Sequence, residues 1–281
     1  MAMTKLTVRA LERLPKNLVS RAFGVVSDVE FPQPLQRVVN QSFATLVGVD
    51  TAEGEKAPGD YRSLNDYFTR RLSQGVHQVE NVDQGALVSP VDGKLGAFGT
   101  IEEGTLLQAK GREYRIVDLV DSAQEARSFQ GGAYATIYLS PRDYHRIHSP
   151  VNGTAKKVSY IPGHLFPVNP FAVRNIDNLF AVNERLITYL ETATLGRVAV
   201  VKVGATCVGR IGLSYDPLKT NRRLRRREEF AVESPIDFAP GDELAVFNLG
   251  STVIILVEST DIQFRSELDV GAILRMGESL V

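Results

Sequence analysis

The sequence predicts a mainly β (α+β) protein: a compact antiparallel β core carrying an N-terminal helical cap. Beyond residue 85 the apolar residues come in short runs broken by Gly, Pro and Asp. LVSPVDGKLGAFG, YATIYLSP, RLITYLETA, RVAVVKVGATCVGRI and ELAVFNLGSTVIILVE are the clearest, and such punctuation belongs to strands joined by tight turns. Before residue 75 the apolar residues instead recur at helical spacing among charged ones. The 23 Gly and 13 Pro of the 281 residues supply enough breakers for many short elements and few long helices.

The first segment, MAMTKLTVRALERLPKNLVSRAF, mixes Leu6, Leu11, Leu14, Leu18 and Phe23 with basic residues and reads as amphipathic helix. Pro32 and Pro34 separate it from a second helical piece, Leu35 to Val47. Amphipathic pieces of this kind pack on the body of their own protein or lie in a membrane interface. In YRSLNDYFTRRL, a helix over 61–72 places Leu64, Tyr67, Phe68 and Leu72 on one face, with Gly75 as its stop. The chain therefore divides into an amphipathic helical region, 1–75, and a β-rich domain, 76–281.

Formal net charge is −1, which argues against a nucleic-acid coat and predicts no nucleic-acid partner. Cys207 is the sole cysteine, so neither an intrachain disulfide nor a thiolate zinc site is expected. The N-terminus lacks the continuous apolar core of a signal peptide, and Val253 to Val257 is only strand-length. Any membrane contact is expected to be peripheral. The run KTNRRLRRR, 219–227, has six cationic residues in nine, which predicts an exposed loop, either solvated with Glu228 and Glu229 as counter-charges or facing anionic lipid.

Three places can carry chemistry. Asp92 sits in the turn SPVDGK, a common hairpin signal. His145 and His148, two of the four histidines, lie three apart in PRDYHRIHSPVNG; imidazoles so placed serve proton transfer, structure or metal binding. No carboxylate or thiolate cluster supports the metal reading. Gly250-Ser251, in FNLGSTV, sits between β-prone segments; the pair forms a bend, or lets the serine hydroxyl approach the preceding carbonyl carbon unobstructed. His77 and His164 lack such company and read as structural or surface residues, and Cys207 as a small buried hydrophobe.

VDG at Asp92, YHRIHSPVNG, GHLFPVN at 163–169, NLFAVNER at 178–185, VGATCVGRI at 203–211 and FNLGST together resemble the phosphatidylserine decarboxylase family. With SLNDYFTRRL upstream, the resemblance spans residues 60 to 260. It implies that Asp92, His148 and Ser251 drive self-cleavage between Gly250 and Ser251, giving chains 1–250 and 251–281 that stay together. Ser251 would become a pyruvoyl group, with no metal or pyridoxal phosphate. That group would form a Schiff base with phosphatidylserine in the bilayer and release carbon dioxide and phosphatidylethanolamine, with His145 close to the decarboxylation step. The implied location is peripheral, on the cytoplasmic side of the cell membrane, with the helical cap facing the membrane and a higher homo-oligomer possible. Three rivals remain at this level, one of them a pyruvoyl decarboxylase acting on a soluble amino acid. A Ser-His-Asp hydrolase would leave the chain whole, though the sequence lacks GxSxG at Ser251; a non-catalytic membrane adaptor would bind lipid without releasing carbon dioxide.

Overall fold

The apolar runs of the second half are rich in Val, Ile and Tyr, whose side chains suit a pleated, buried surface. The computed structural model describes every residue except 1–6, 9, 10, 12, 110, 111, 207–209, 222–225 and 249–250 and, at 109, the side chain. The strands of the main sheet are β1 (Gly93–Thr100), β4 (Ala133–Leu139), β6 (Gly153–Ile161), β7 (Arg185–Glu191), β8 (Arg197–Gly204), β10 (Glu228–Phe238), β12 (Ser251–Val257) and β13 (Ile273–Leu274). Between them in the chain come β2 (Thr105–Ala109), β3 (Arg112–Arg115), β5 (Arg146–His148), β9 (Arg210–Leu213) and β11 (Glu243–Asn248). The eight-stranded sheet runs β10-β6-β7-β8-β12-β4-β1-β13, and a three-stranded sheet runs β5-β11-β9. All these pairings are antiparallel, as the sequence predicts. β12 lies between β8 and β4 and is buried along its whole length. Its STVIILV therefore shows no polar alternation, because neither face meets water.

Three of the six steps that the chain takes between the large sheet and the small one line up. β4 leads into β5 through 140–145, β8 into β9 through 205–209, and β11 into β12 through 249–250. The registers align these steps: Ser251 opposes Leu139 on one side and Gly204 on the other, while Arg146 opposes Val246 and Arg210 opposes Asn248. Ser251 thus opens its strand at the seam between the two sheets.

The N-terminal helices are α1 (Lys16–Ser27) and α2 (Gln33–Val47). Pro34 lies in the first turn of α2, where its missing N–H costs nothing, and Gly48, at φ +77, ends it. Both helices dock through polar or small residues. Lys16, Ser20, Gly24 and Ser27 are buried on α1, and Gln36, Asn40 and Ala44 on α2. Asn40 donates to the carbonyls of Pro58 and Tyr61, and Asn17 to that of Gly163. The apolar residues Leu18, Val25, Val26, Leu35, Val38 and Leu46 face outward.

Helix 61–72 is shorter than its pattern predicts. α3 covers Leu64–Phe68, with Ser63 accepting from the Asp66 N–H as N-cap. Beyond it the backbone pairs with residues 53–55 instead, Glu55 N–H donating to Arg71 and Ser73 N–H to Glu53. Tertiary pairing overrides helical propensity here. Tyr67 and Phe68 are buried as expected, whereas Gly75, at φ +83, makes a turn rather than a helix stop. In the basic run, Thr220 and Asn221 are buried and Arg227 pairs with Asp121 and Glu229. Residues 222–225, Cys207 and Gly250 lie outside the described residues.

Candidate active site

The β5–β11 ladder carries the two histidines of the YHRIH segment to the seam. Phe247 N–H donates to the His145 carbonyl at 2.9 Å, four residues before Ser251. His148 N–H donates to the Pro90 carbonyl at 2.9 Å, and Val88 N–H to that of Pro150, so the segment bearing Asp92 runs beside β5 and its exit.

Each side chain then has its own surroundings. Ser251 is fully buried, and its hydroxyl has no hydrogen-bond partner among the described residues. His145 is fully buried, with its ring 4.0 Å from that of Phe68. Its Nδ1–H donates to the Asp143 carbonyl at 2.7 Å, which leaves the Nε2 lone pair inward and unpartnered. Burial pulls His145 down to about 3, against the Asp143 carbonyl and with help from the Arg70 charge. Arg70 is itself buried; Nη2 donates to the carbonyls of Arg142 and Asp143, while Nε and Nη1 have no partner. Native structures leave few buried polar groups unsatisfied, and those few call for an explanation such as catalysis.

His148 donates from Nδ1 to the Gly241 carbonyl at 2.6 Å and accepts from the Tyr144 hydroxyl at Nε2, 3.0 Å away. Burial lowers its pKa, with the Gly241 carbonyl, Glu243 and Asp92 opposing. Asp92 makes no hydrogen bond to His148; its charge reaches that ring only through the field. Its carboxylate instead meets His77, with Nε2 2.7 Å from Oδ1 and 2.9 Å from Oδ2, and Oδ1 also accepts the Met276 N–H at 2.8 Å. A cleft of about 600 Å³ is lined by His77, Tyr144, His148, Gly241 and Met276 among others.

The backbone thus brings the segments of Asp92, His145 and His148 side by side and starts β12 at Ser251, but among the described residues no hydrogen bond links Asp92, His148 and Ser251 into a chain. His77, Tyr144 and Arg70 were not singled out for chemistry from the sequence. Tyr144 adjoins a recognised motif and was within reach of a finer reading. His77 lies in a segment with no chemical signature, and only the fold reveals its partner.

Titratable side chains shielded from water, with displaced pKa values, mark a candidate proton-transfer site of the kind enzymes use. A family model described as phosphatidylserine decarboxylase matches residues 64–281. The chain is 40% identical over 277 residues to the phosphatidylserine decarboxylase proenzyme of Brevibacillus brevis (strain 47 / JCM 6285 / NBRC 100599), covering 98% of this chain and 97% of that one. It is 40% identical over 274 residues to the Myxococcus xanthus (strain DK1622) proenzyme, covering 97% and 96%. It is 42% identical over 280 residues to that of Anaeromyxobacter sp. (strain K), covering 98% of each. The chain belongs to the phosphatidylserine decarboxylase family.

Proposed function

We propose that this chain is a proenzyme that cuts itself between Gly250 and Ser251 and then decarboxylates phosphatidylserine to phosphatidylethanolamine at a membrane surface. The observation that carries the reading is the buried, unpartnered Ser251 hydroxyl at the head of β12, in a chain of this family whose β5 segment also buries His145 and His148.

In the processing step, His148 accepts the Ser251 proton and the freed oxygen attacks the Gly250 carbonyl, turning the amide into an ester. This requires His148 Nε2 to exchange the Tyr144 hydroxyl for that of Ser251. The Asp92 charge favours the resulting imidazolium, as its effect on His148 indicates. Loss of the Ser251 α-proton then eliminates the ester. Chain 1–250 leaves with a new carboxylate, and the remaining dehydroalanine takes up water, releases ammonia and becomes a pyruvoyl group.

The buried serine at a strand start fits such a group, because the carbonyl would sit in a dry wall with its chain anchored by β12. The pyruvoyl carbonyl supplies a Schiff-base site for the headgroup amine and an electron sink for loss of carbon dioxide. This chain's residues exclude water and handle the proton. His145 Nδ1–H is fixed on the Asp143 carbonyl, so its Nε2 is the ring atom available for proton exchange.

Among the described residues no helix is long and apolar enough to cross a membrane. The outward apolar faces of α1 and α2 support peripheral docking, because helices packed on their own protein bury that face instead. The cytoplasmic side of the cell membrane is the proposed location.

Denaturing intact mass of wild type and Ser251→Ala tests the reading. Wild type should resolve into 1–250 and 251–281, the latter lighter by one ammonia than a serine-started peptide, with its carbonyl trapped by hydrazine. The alanine variant should remain whole. A folded wild type that stays a single chain after incubation with phosphatidylserine vesicles removes self-processing and favours the hydrolase or adaptor.

A further inference from the structure

The residue that contacts Asp92 most closely is a histidine outside every motif. His77 offers Nε2 to both carboxylate oxygens, and the pair is enclosed, with side-chain exposures of 2% for His77 and 14% for Asp92. No other ion pair of Asp92 occurs among the described residues. We propose that His77 is a positioning residue: it clamps the Asp92 carboxylate, so that Asp92 acts on His148 as a fixed, oriented charge rather than as a hydrogen-bonded partner. The inference rests on the assignment of Asp92 and His148 to processing made above.

The geometry around the pair favours holding over incidental contact. Met276 N–H takes a further lone pair of Oδ1, so the carboxylate is gripped from two sides. The backbone on either side of this grip is itself locked together. Glu80 N–H donates to the Gly277 carbonyl at 2.9 Å, and a Cβ at Gly277, where φ is +89, would fall 2.7 Å from the Gln78 carbonyl oxygen. The segment bearing His77 and the segment bearing Met276 therefore approach Asp92 as one unit. Tyr144 lies between the two histidines, its ring 6.3 Å from that of His77 and 5.6 Å from that of His148. Its hydroxyl occupies His148 Nε2, which keeps His77 from bonding to His148 at that atom. His77 thus acts through Asp92 and does not touch the reacting atoms.

Burial opposes charge on His77, but the hydrogen bond and charge of Asp92 outweigh it and raise the pKa, while Nδ1 is buried with no hydrogen-bond partner among the described residues. The carboxylate acceptor makes the clamp charge-assisted, and such hydrogen bonds are roughly twice as strong as neutral ones. Without it, Asp92 keeps one described hydrogen bond, from Met276, and is free to rotate.

Two measurements test this together. Cell-free synthesis followed by intact mass gives the processing half-time of wild type, His77→Phe and His77→Gln. In parallel, the ring 15N shifts of His77 at pH 7 are read in Ser251→Ala and in Ser251→Ala/Asp92→Asn. We expect His77→Phe to slow cleavage about tenfold to a hundredfold, the scale of a small misplacement. His77→Gln, which keeps an N–H donor, should recover part of that rate, and loss of Asp92 should shift the His77 ring towards its neutral form. A structural residue alone predicts equal effects of Gln and Phe that follow Tm. Wild-type cleavage in a folded His77→Phe, or ring shifts indifferent to Asp92→Asn, overturns the inference. If His77→Phe does not fold, wild-type ring shifts persisting in the Asp92→Asn protein still overturn it. Wild type that never cleaves would overturn the processing reading instead, while the ring shifts in the uncleavable protein still decide whether His77 and Asp92 are coupled.

Discussion

His145 and His148 are three residues apart, yet the protein holds their rings by different means. Both pKa values are lowered by burial, His145 to about 3, while that of His77 is raised by Asp92 against burial. The signs give opposite pH limbs. In the unfolded chain a histidine binds its proton near pH 6.5. Folded His145 stays neutral far below that, so the unfolded state holds more protons and stability falls as pH drops below about 6.5. His77 contributes stability below the unfolded value and loses it as pH rises through its own higher folded value. The Tm of uncleavable Ser251→Ala should therefore fall on acidification from pH 7 to 5, and His145→Asn should flatten that fall. A Tm equally acid-sensitive in both proteins would show that His145 is not its source. The motif exposed His145, His148 and Ser251 to a sequence reading, because residue types and spacing carried them. The Asp92–His77 contact was invisible there, because it joins segments through the fold and neither residue's neighbours signal the other.

At the scale of elements, the amphipathic pattern of the first helices was legible, but the side that faces the body was not. Packing decided it: the docking faces of α1 and α2 carry Lys16, Ser20, Gln36 and Asn40, with side-chain hydrogen bonds such as Gln36 to Asn40 at 2.8 Å. A polar docking face leaves Leu18, at 59% exposed, Val25, at 68%, and Leu46, at 86%, on the outside. Such residues contribute to membrane partition in proportion to the apolar area they bury there. Leu18→Glu combined with Val25→Glu should therefore abolish cosedimentation with phosphatidylglycerol-containing vesicles. Because surface substitutions seldom change stability by more than about 0.5 kcal/mol, Tm should hardly move. Retained vesicle binding would remove α1 as the docking element, whereas a large fall in Tm would mean that this face is covered within the protein. The helix over 61–72 failed for the converse reason: its local pattern was right, but pairing with residues 53–55 claimed its last turn.

For the whole molecule, the question is what a cut at the seam does to a fold whose last strands are not peripheral. Segment 251–281 supplies β12 to the middle of the large sheet, β13 to its edge beside β1, and the Met276 N–H to Asp92. The antiparallel sheet was readable from the strand runs, but the central place of β12 was not, because register and strand order depend on pairings distant in sequence. Val253, Ile254, Ile255, Leu256 and Val257 are each at most 1% exposed, and burying such a side chain is worth roughly 1.5–3 kcal/mol. After the proposed cut, chains 1–250 and 251–281 should therefore remain together through native size-exclusion and separate only in denaturant. Their covalent link is nevertheless gone, so unfolding of the processed protein becomes dissociation as well, and mass action then governs its midpoint. Raising the protein concentration a hundredfold should raise the urea midpoint of processed wild type, whereas uncleaved Ser251→Ala should unfold at the same urea concentration throughout. A midpoint independent of concentration in the cleaved protein would mean that the two chains do not part on unfolding, and that β12 is not held as a separate partner in the sheet.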